Sequence, residues 1–210
     1  MVASVCLDTA SAVTGLTKRT LWRYIQDGRL SAIREGRGKR TSVPLAEVLA
    51  LIERSLDAEA QALVLAADRG DAEAQCDLAL RLLELERLGS ARDWFARSAR
   101  AGYADAMCWL ARDLLVGRCG ERDDAGGVLW LSQAAACGSP LAEALLIELH
   151  GAVCRKARAA ADLETLETRL DAVEREVLLR VLNESGGAAA ADADGEGDID
   201  RVATAPIEEV

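Results

Sequence analysis

The sequence predicts an all-α protein with a small β wing: an N-terminal winged helix-turn-helix joined to a short α-helical repeat (solenoid) body. Three observations carry this reading. Alanine (40) and leucine (31) make up about a third of the 210 residues, while aromatics are 3% and prolines number three; the chain is rich in the best helix formers and poor in strand formers. Charge is divided along the chain, with eight basic against two acidic residues over 17–42 and 17 basic against 32 acidic over 43–210, within a net charge of −10. One glycine-centred pattern recurs three times. A basic head on an acidic body implies two modules with different partners.

In the head, Asp8-Thr-Ala-Ser-Ala-Val-Thr14 reads as a short helix broken at Gly15. Thr17 is a good N-cap for a second helix over 18–27, where Leu21 and Ile25 can pack inward. That leaves Lys18, Arg19, Trp22, Arg23 and Gln26 on other faces, although core packing is the expected role of Trp22 and Tyr24. Gly28 ends the helix. β-capable residues flank the Gly36-Arg-Gly38 turn, predicting a two-stranded wing with a basic tip, and Pro44 opens a further helix from Leu45 to about Leu56.

Residues 8–52 resemble the winged helix-turn-helix of the MerR and phage-excisionase group. The pattern Ala10-x-x-Val13-Thr-Gly-Leu-Thr-Lys-Arg-Thr-Leu-Trp-Arg-Tyr-Ile25-x-x-Gly28-x-Leu30 and the wing Ile33-Arg-x-Gly-Arg-Gly-Lys-Arg40 carry the likeness. It implies that the second helix enters the major groove of double-stranded DNA, with Thr17, Lys18, Arg19, Thr20 and Arg23 at the interface. Arg34, Arg37, Lys39 and Arg40 become the phosphate grip of the wing. Arginine pairs bidentately with guanine, whereas basic loops neutralise phosphates without reading sequence. The chain departs from the MerR pattern beyond the wing: no long dimerisation helix follows Leu56 directly, and the cysteine set of the metal sensors is missing.

The acidic body repeats itself. Ala67-x-x-Gly70-x-x-x-Ala74-x-x-x-Leu78 recurs from Ala99 through Gly102, Ala106 and Leu110, and again from Ala135 through Gly138, Ala142 and Leu146. Trp94 and Trp130 are in register with the second step. Each glycine falls where a helix must end in positive φ, and Asp71 and Ser139-Pro140 restart helices. Small Ala74, Ala106 and Ala142 permit close helix approach, and Cys76 and Cys108 read as small core residues. This block resembles the SEL-one-like repeats, relatives of the tetratricopeptide family, which implies a scaffold that binds a protein or peptide partner. Gly127 stands where those repeats carry alanine.

From Val153 to about Leu182 there is no Gly or Pro, and Leu163, Leu166, Leu170, Val173 and Val177 form one apolar stripe. The stripe predicts a helix that caps the repeats, contributes to a possible homodimer, or does both. After Gly187 the alanine- and acid-rich chain predicts disorder. The organisation is therefore a DNA-binding head over 1–55, repeats over 56–152, a long helix over 153–185 and an acidic tail over 186–210.

Catalytic chemistry is sparsely supplied, with one histidine and six cysteines lacking any C-x-x-C pair. The reading assigns no catalytic residues, no metal and no cofactor. His150 and Cys154 are a weak pair, and Cys119, between Arg118 and Arg122, is a candidate redox thiol if those cations lower its pKa. No segment is long and apolar enough for a membrane span, and the N-terminus lacks the layout of a secretory signal; the protein is expected in the cytoplasm at the nucleoid. The function expected is a non-enzymatic DNA-binding transcriptional regulator whose repeats bind a protein partner. The alternatives are an interaction adaptor whose head does not bind DNA, and an excisionase-like DNA-bending factor.

Overall fold

The computed structural model describes residues 3–33, 41–52 and 56–193. Among them the order is β1 (Ser4–Cys6), α1 (Leu7–Thr14), α2 (Lys18–Gln26), β2 (Ser42–Pro44) and α3 (Leu45–Leu49). The body follows with α4 (Ala58–Arg69), α5 (Ala72–Glu84), α6 (Leu88–Arg100), α7 (Ala104–Val116), α8 (Asp124–Ala136), α9 (Pro140–His150), α10 (Ala152–Ala160) and α11 (Leu163–Ala193). The protein is all-α with a two-stranded sheet, and its body is a stack of helix pairs.

The three repeat glycines do what their spacing predicts. Gly70, Gly102 and Gly138 adopt φ of +100°, +96° and +83°, conformations that side chains with a Cβ strongly disfavour. At each one the next residue's N–H reaches back to a carbonyl five positions earlier: Asp71 to Ala66, Tyr103 to Ser98 and Ser139 to Ala134. This closes the helix end and folds the chain back on itself. Asp71 then caps α5 by accepting from Ala74 N–H at 2.8 Å, and Ser139 caps α9 through Ala142 N–H. The α5–α6 connection spans 85–87 and the α7–α8 connection 117–123; that difference accounts for repeat steps of 32 and 36.

Ala74, Ala106 and Ala142 are buried, as are Cys76 and Cys108. Trp94 is buried whereas Trp130 is only partly so, and the stacked aromatic pair is Phe95 with Trp109, centroids 5.9 Å apart. Gly127 has a packing reason. A Cβ there would lie 2.7 Å from Leu115 Cγ and 3.0 Å from the Ala111 carbonyl oxygen, so α8 seats against α7 more closely than alanine allows.

Several expectations need correction. Strand β2 pairs antiparallel with β1, with Val5 opposite Val43, a pairing not expected from the sequence; Ile33 also bridges Ser42 antiparallel, and residues 34–40 of the expected wing lie outside the described residues. A three-residue strand at positions 4–6 has too little pattern to reveal a partner 38 residues away. The helix after Pro44 ends at Leu49 rather than near Leu56. The long C-terminal helix is two, because Ala161 takes φ +54° and Asp162 restarts the chain by accepting from Thr165 N–H at 3.1 Å. Helix α11 then continues to Ala193, past the start of the expected acidic tail, whose residues 194–210 lie outside the described residues.

Leu166, Leu170 and Val177 of α11 are buried against the body. Arg112 of α7 donates to Glu174 Oε2 at 2.5 Å and pairs with Asp171, while Arg169 donates to Glu148 at 2.7 Å. Gly127→Ala is expected to destabilise the fold by about 1–3 kcal/mol through overpacking. Gly89→Ala, at an open helical position, should stabilise it by about 0.5–1 kcal/mol; urea unfolding of both variants measures the contrast.

Candidate nucleic-acid interface

Helices α1 and α2 meet at a turn held by its own side chains. Gly15 takes φ +74° and donates its N–H to Ser11 O at 2.9 Å. Ser11 Oγ donates to Leu16 O at 2.6 Å, and Thr14 Oγ1 both donates to Ala10 O at 2.7 Å and accepts from Leu16 N–H at 3.2 Å. Thr17 caps α2, accepting from Thr20 N–H at 3.2 Å, and its hydroxyl lies 3.0 Å from that of Thr20. Those two hydroxyls, expected at the DNA interface, are thus engaged in the cap.

Leu21 is fully buried, and Tyr24 and Ile25 pack against the core. Arg19, Trp22, Arg23 and Gln26 share the exposed side of α2. Trp22 is a correction to the core-packing expectation, with 37% of its surface exposed. A nine-residue helix has too narrow a buried stripe to hide a side chain lying between Lys18 and Gln26. Tyr24 instead supports the end of the helix: the Arg29 guanidinium lies 4.2 Å from its ring centroid, and its carbonyl accepts from Arg29 and Leu30 N–H. Arg34, Arg37, Lys39 and Arg40 lie outside the described residues.

The head is bolted to the body by charged groups that local sequence does not reveal. Asp68 of α4 accepts from Cys6 N–H at 2.9 Å and from the Thr9 hydroxyl. Arg87 donates to the Ala12 and Val13 carbonyl oxygens at 2.6 and 3.0 Å, neutralising the C-terminal end of α1. A Cβ on Gly15 would lie 3.0 Å from the Arg87 guanidinium carbon; glycine at this turn therefore serves both its φ and the close approach of Arg87. The preceding Glu86 adopts φ +57°, at a cost of about 1–2 kcal/mol for a residue with a Cβ. Arg97 of α6 donates to Asp8 Oδ2 at 2.8 Å, and the other oxygen pairs with Lys18. One apolar cluster runs without interruption from Val5 and Leu21 through the repeats to Leu170.

Neither a family model nor a curated protein matches the chain. Among solved structures, a Sel1 repeat protein from Oxalobacter formigenes is similar at 25% identity over 54% of this chain and 97% of that one, with a TM-score of 0.41.

Elsewhere the thiol candidates behave as packing residues. Cys119 is the reverse of an activated thiol: its N–H donates to Asp113 at 2.6 Å, and burial together with that carboxylate pushes its pKa up to about 12. Burial raises Cys76 to about 12 and Cys108 to about 11. Cys154 is buried and lies 3.5 Å from Glu148 Oε1, while exposed His150 holds its Nδ1 2.7 Å from Leu146 O; the two do not form a catalytic pair. Among the described residues no group of three or more His, Cys, Asp or Glu side chains is placed to hold a metal, and no helix is long and apolar enough to cross a membrane.

Between α4 and α5 lies an open groove. Glu59, Asp71, Glu73, Asp77 and Glu84 rim it, Arg81 is the single cation on its lining, and Leu63 and Leu80 form part of the floor.

Burial opposes ionisation of Asp8 and Asp124, yet Lys18 and Arg97 in the first case, and Arg158 and Arg122 in the second, hold both carboxyls below their ordinary value of 3.8. A depressed folded-state pKa contributes stability that is complete above the ordinary value and lost as pH falls through the lowered one. Melting temperature should therefore fall below about pH 4, and the acid-induced loss should shrink in Asp124→Asn. Arg87→Ala, which leaves the α1 carbonyls without their charged donor, should cost about 1.5–3 kcal/mol, measured by denaturant unfolding.

Proposed function

We propose that the chain is a double-stranded DNA-binding regulator whose helical repeats engage a protein partner, acting by binding rather than catalysis, in the cytoplasm at the nucleoid. The observation that carries this reading is the outer face of α2. On a capped helix whose opposite side is buried, Arg19, Arg23 and Gln26 are presented together with Trp22. Arginine suits the guanine edge and glutamine the adenine edge, while tryptophan offers an apolar surface for a thymine methyl group. Lys18 and the basic stretch Arg34, Arg37, Lys39 and Arg40 supply phosphate neutralisation.

Two features support partner binding. The α4–α5 groove joins an apolar floor to an acidic rim, a surface complementary to a basic partner segment. Leu178, Leu179 and Leu182 stand 62%, 56% and 65% exposed on α11 beyond its packed half, a face suited to a second copy of the chain. One head spans few base pairs, so useful specificity requires a second half-site from a dimer or a partner.

Fluorescence anisotropy of the full chain on a labelled random duplex, across a salt series, tests the reading. Binding should weaken steeply with salt, by a slope near −0.9 per contact over about four to six phosphates. Arg19→Ala with Arg23→Ala should weaken it at every salt concentration. Absence of binding by the unaltered chain at low salt replaces the regulator with the interaction adaptor; a bend measured on bound DNA replaces it with the architectural factor.

A further inference from the structure

We infer that Arg97, a residue of the repeat body, is a positioning residue for the DNA interface: by sharing Asp8 with Lys18, it lets Lys18 turn to a phosphate without stranding the carboxylate. This role rests on the DNA-binding reading above.

The geometry is a three-membered charge relay across the head–body seam. Asp8 lies in the first turn of α1, about three-quarters buried, with one oxygen accepting from Arg97 Nη2 at 2.8 Å and the other paired with the Lys18 ammonium. The two cations differ in freedom. The Arg97 guanidinium lies over the ring of Trp94, 4.8 Å from its centroid, and Trp94 itself is buried, so packing holds Arg97 in place. Lys18 is 61% exposed on a flexible stem at the start of α2. It is therefore the cation able to leave.

Asp8 alone with Lys18 would act as a competitor for that ammonium. A partly buried carboxylate abandoned by its only cation loses its charge-assisted bond without full hydration in exchange, and that penalty would oppose every DNA contact by Lys18. With Arg97 in place, Asp8 retains a charged donor when Lys18 moves. The local balance also depends on it: Asp8 and the two cations sum to +1, against zero without Arg97. A group of this kind makes the affinity of the head depend on the conformation of α6, and any ligand that draws Arg97 away weakens DNA binding.

The test uses full-length Arg97→Ala, Asp8→Asn, the double variant and Arg97→Lys, with the same labelled random duplex and salt series. Arg97→Ala should bind roughly three- to tenfold more weakly, with a log–log salt slope shallower by about 0.9, the loss of one phosphate contact. Adding Asp8→Asn should restore both affinity and slope, because the competitor is gone. Asp8→Asn alone should bind at least as tightly as the unaltered chain, and Arg97→Lys close to it. A merely structural role gives the opposite pattern: the double variant, having lost both ion pairs at the seam, binds no better than Arg97→Ala.

Failure of rescue, or unchanged binding by Arg97→Ala, overturns this role and leaves the DNA reading intact. Flat isotherms for all five proteins overturn both. Circular dichroism melts accompany each variant; should Arg97→Ala fail to fold, Asp8→Asn carries the comparison, because the competitor role expects binding at least as tight as the unaltered chain and a merely structural role expects weaker binding.

Discussion

At Gly70, Gly102 and Gly138 the backbone enters the left-handed region, and from that single conformation most of the body follows. A helix of 11–13 residues cannot bury its apolar side alone, and it gains stability chiefly by being laid against another. The reversal at each glycine returns the chain at once, so that α4 meets α5, α6 meets α7 and α8 meets α9. Small residues on the facing sides then decide how closely the pairs approach. Gly127 against Leu115 is the tightest expression of this: the helix spacing leaves no room even for a methyl group.

The same stacking fixes the head. Helix α1 joins the apolar cluster of the repeats, and Asp68, Arg87 and Arg97 reach from three body helices or turns to its polar atoms. A Cβ on Gly15 would crowd the Arg87 guanidinium at 3.0 Å. The outer face of α2 is thereby tied to the repeat stack through these bonds and the shared apolar cluster.

Electrostatics separates the two ends without separating the fold. The acidic rim of the α4–α5 groove and the exposed arginines of α2 belong to one molecule of net charge −10, yet screening over about 8 Å in physiological salt lets each surface present its own field. Where opposite charges do meet, at Asp8 or around Arg112, they hold helices together at the seam and beneath α11. Burial raises the pKa of Cys76, Cys108 and Cys119 rather than lowering it.

Helix type, the repeat period, the caps at Thr17, Asp71 and Ser139 and the turns at Gly15, Gly28 and the repeat glycines were legible in the sequence, because each depends on residues within a few positions of one another. The exposed arginines of α2 were legible for the same reason. Trp22 was misjudged because burial depends on what lies opposite a helix, and no local pattern reports that. The β1–β2 pairing, the break at Ala161 and the Phe95–Trp109 stack belong to the tertiary structure alone, as do the bonds from Asp68, Arg87 and Arg97 to the head. These join positions up to 89 apart, or depend on a backbone angle such as the +54° of Ala161 that alanine does not itself prefer. Short-range preference determined which segments are helices; packing determined which faces stay open and which charges meet.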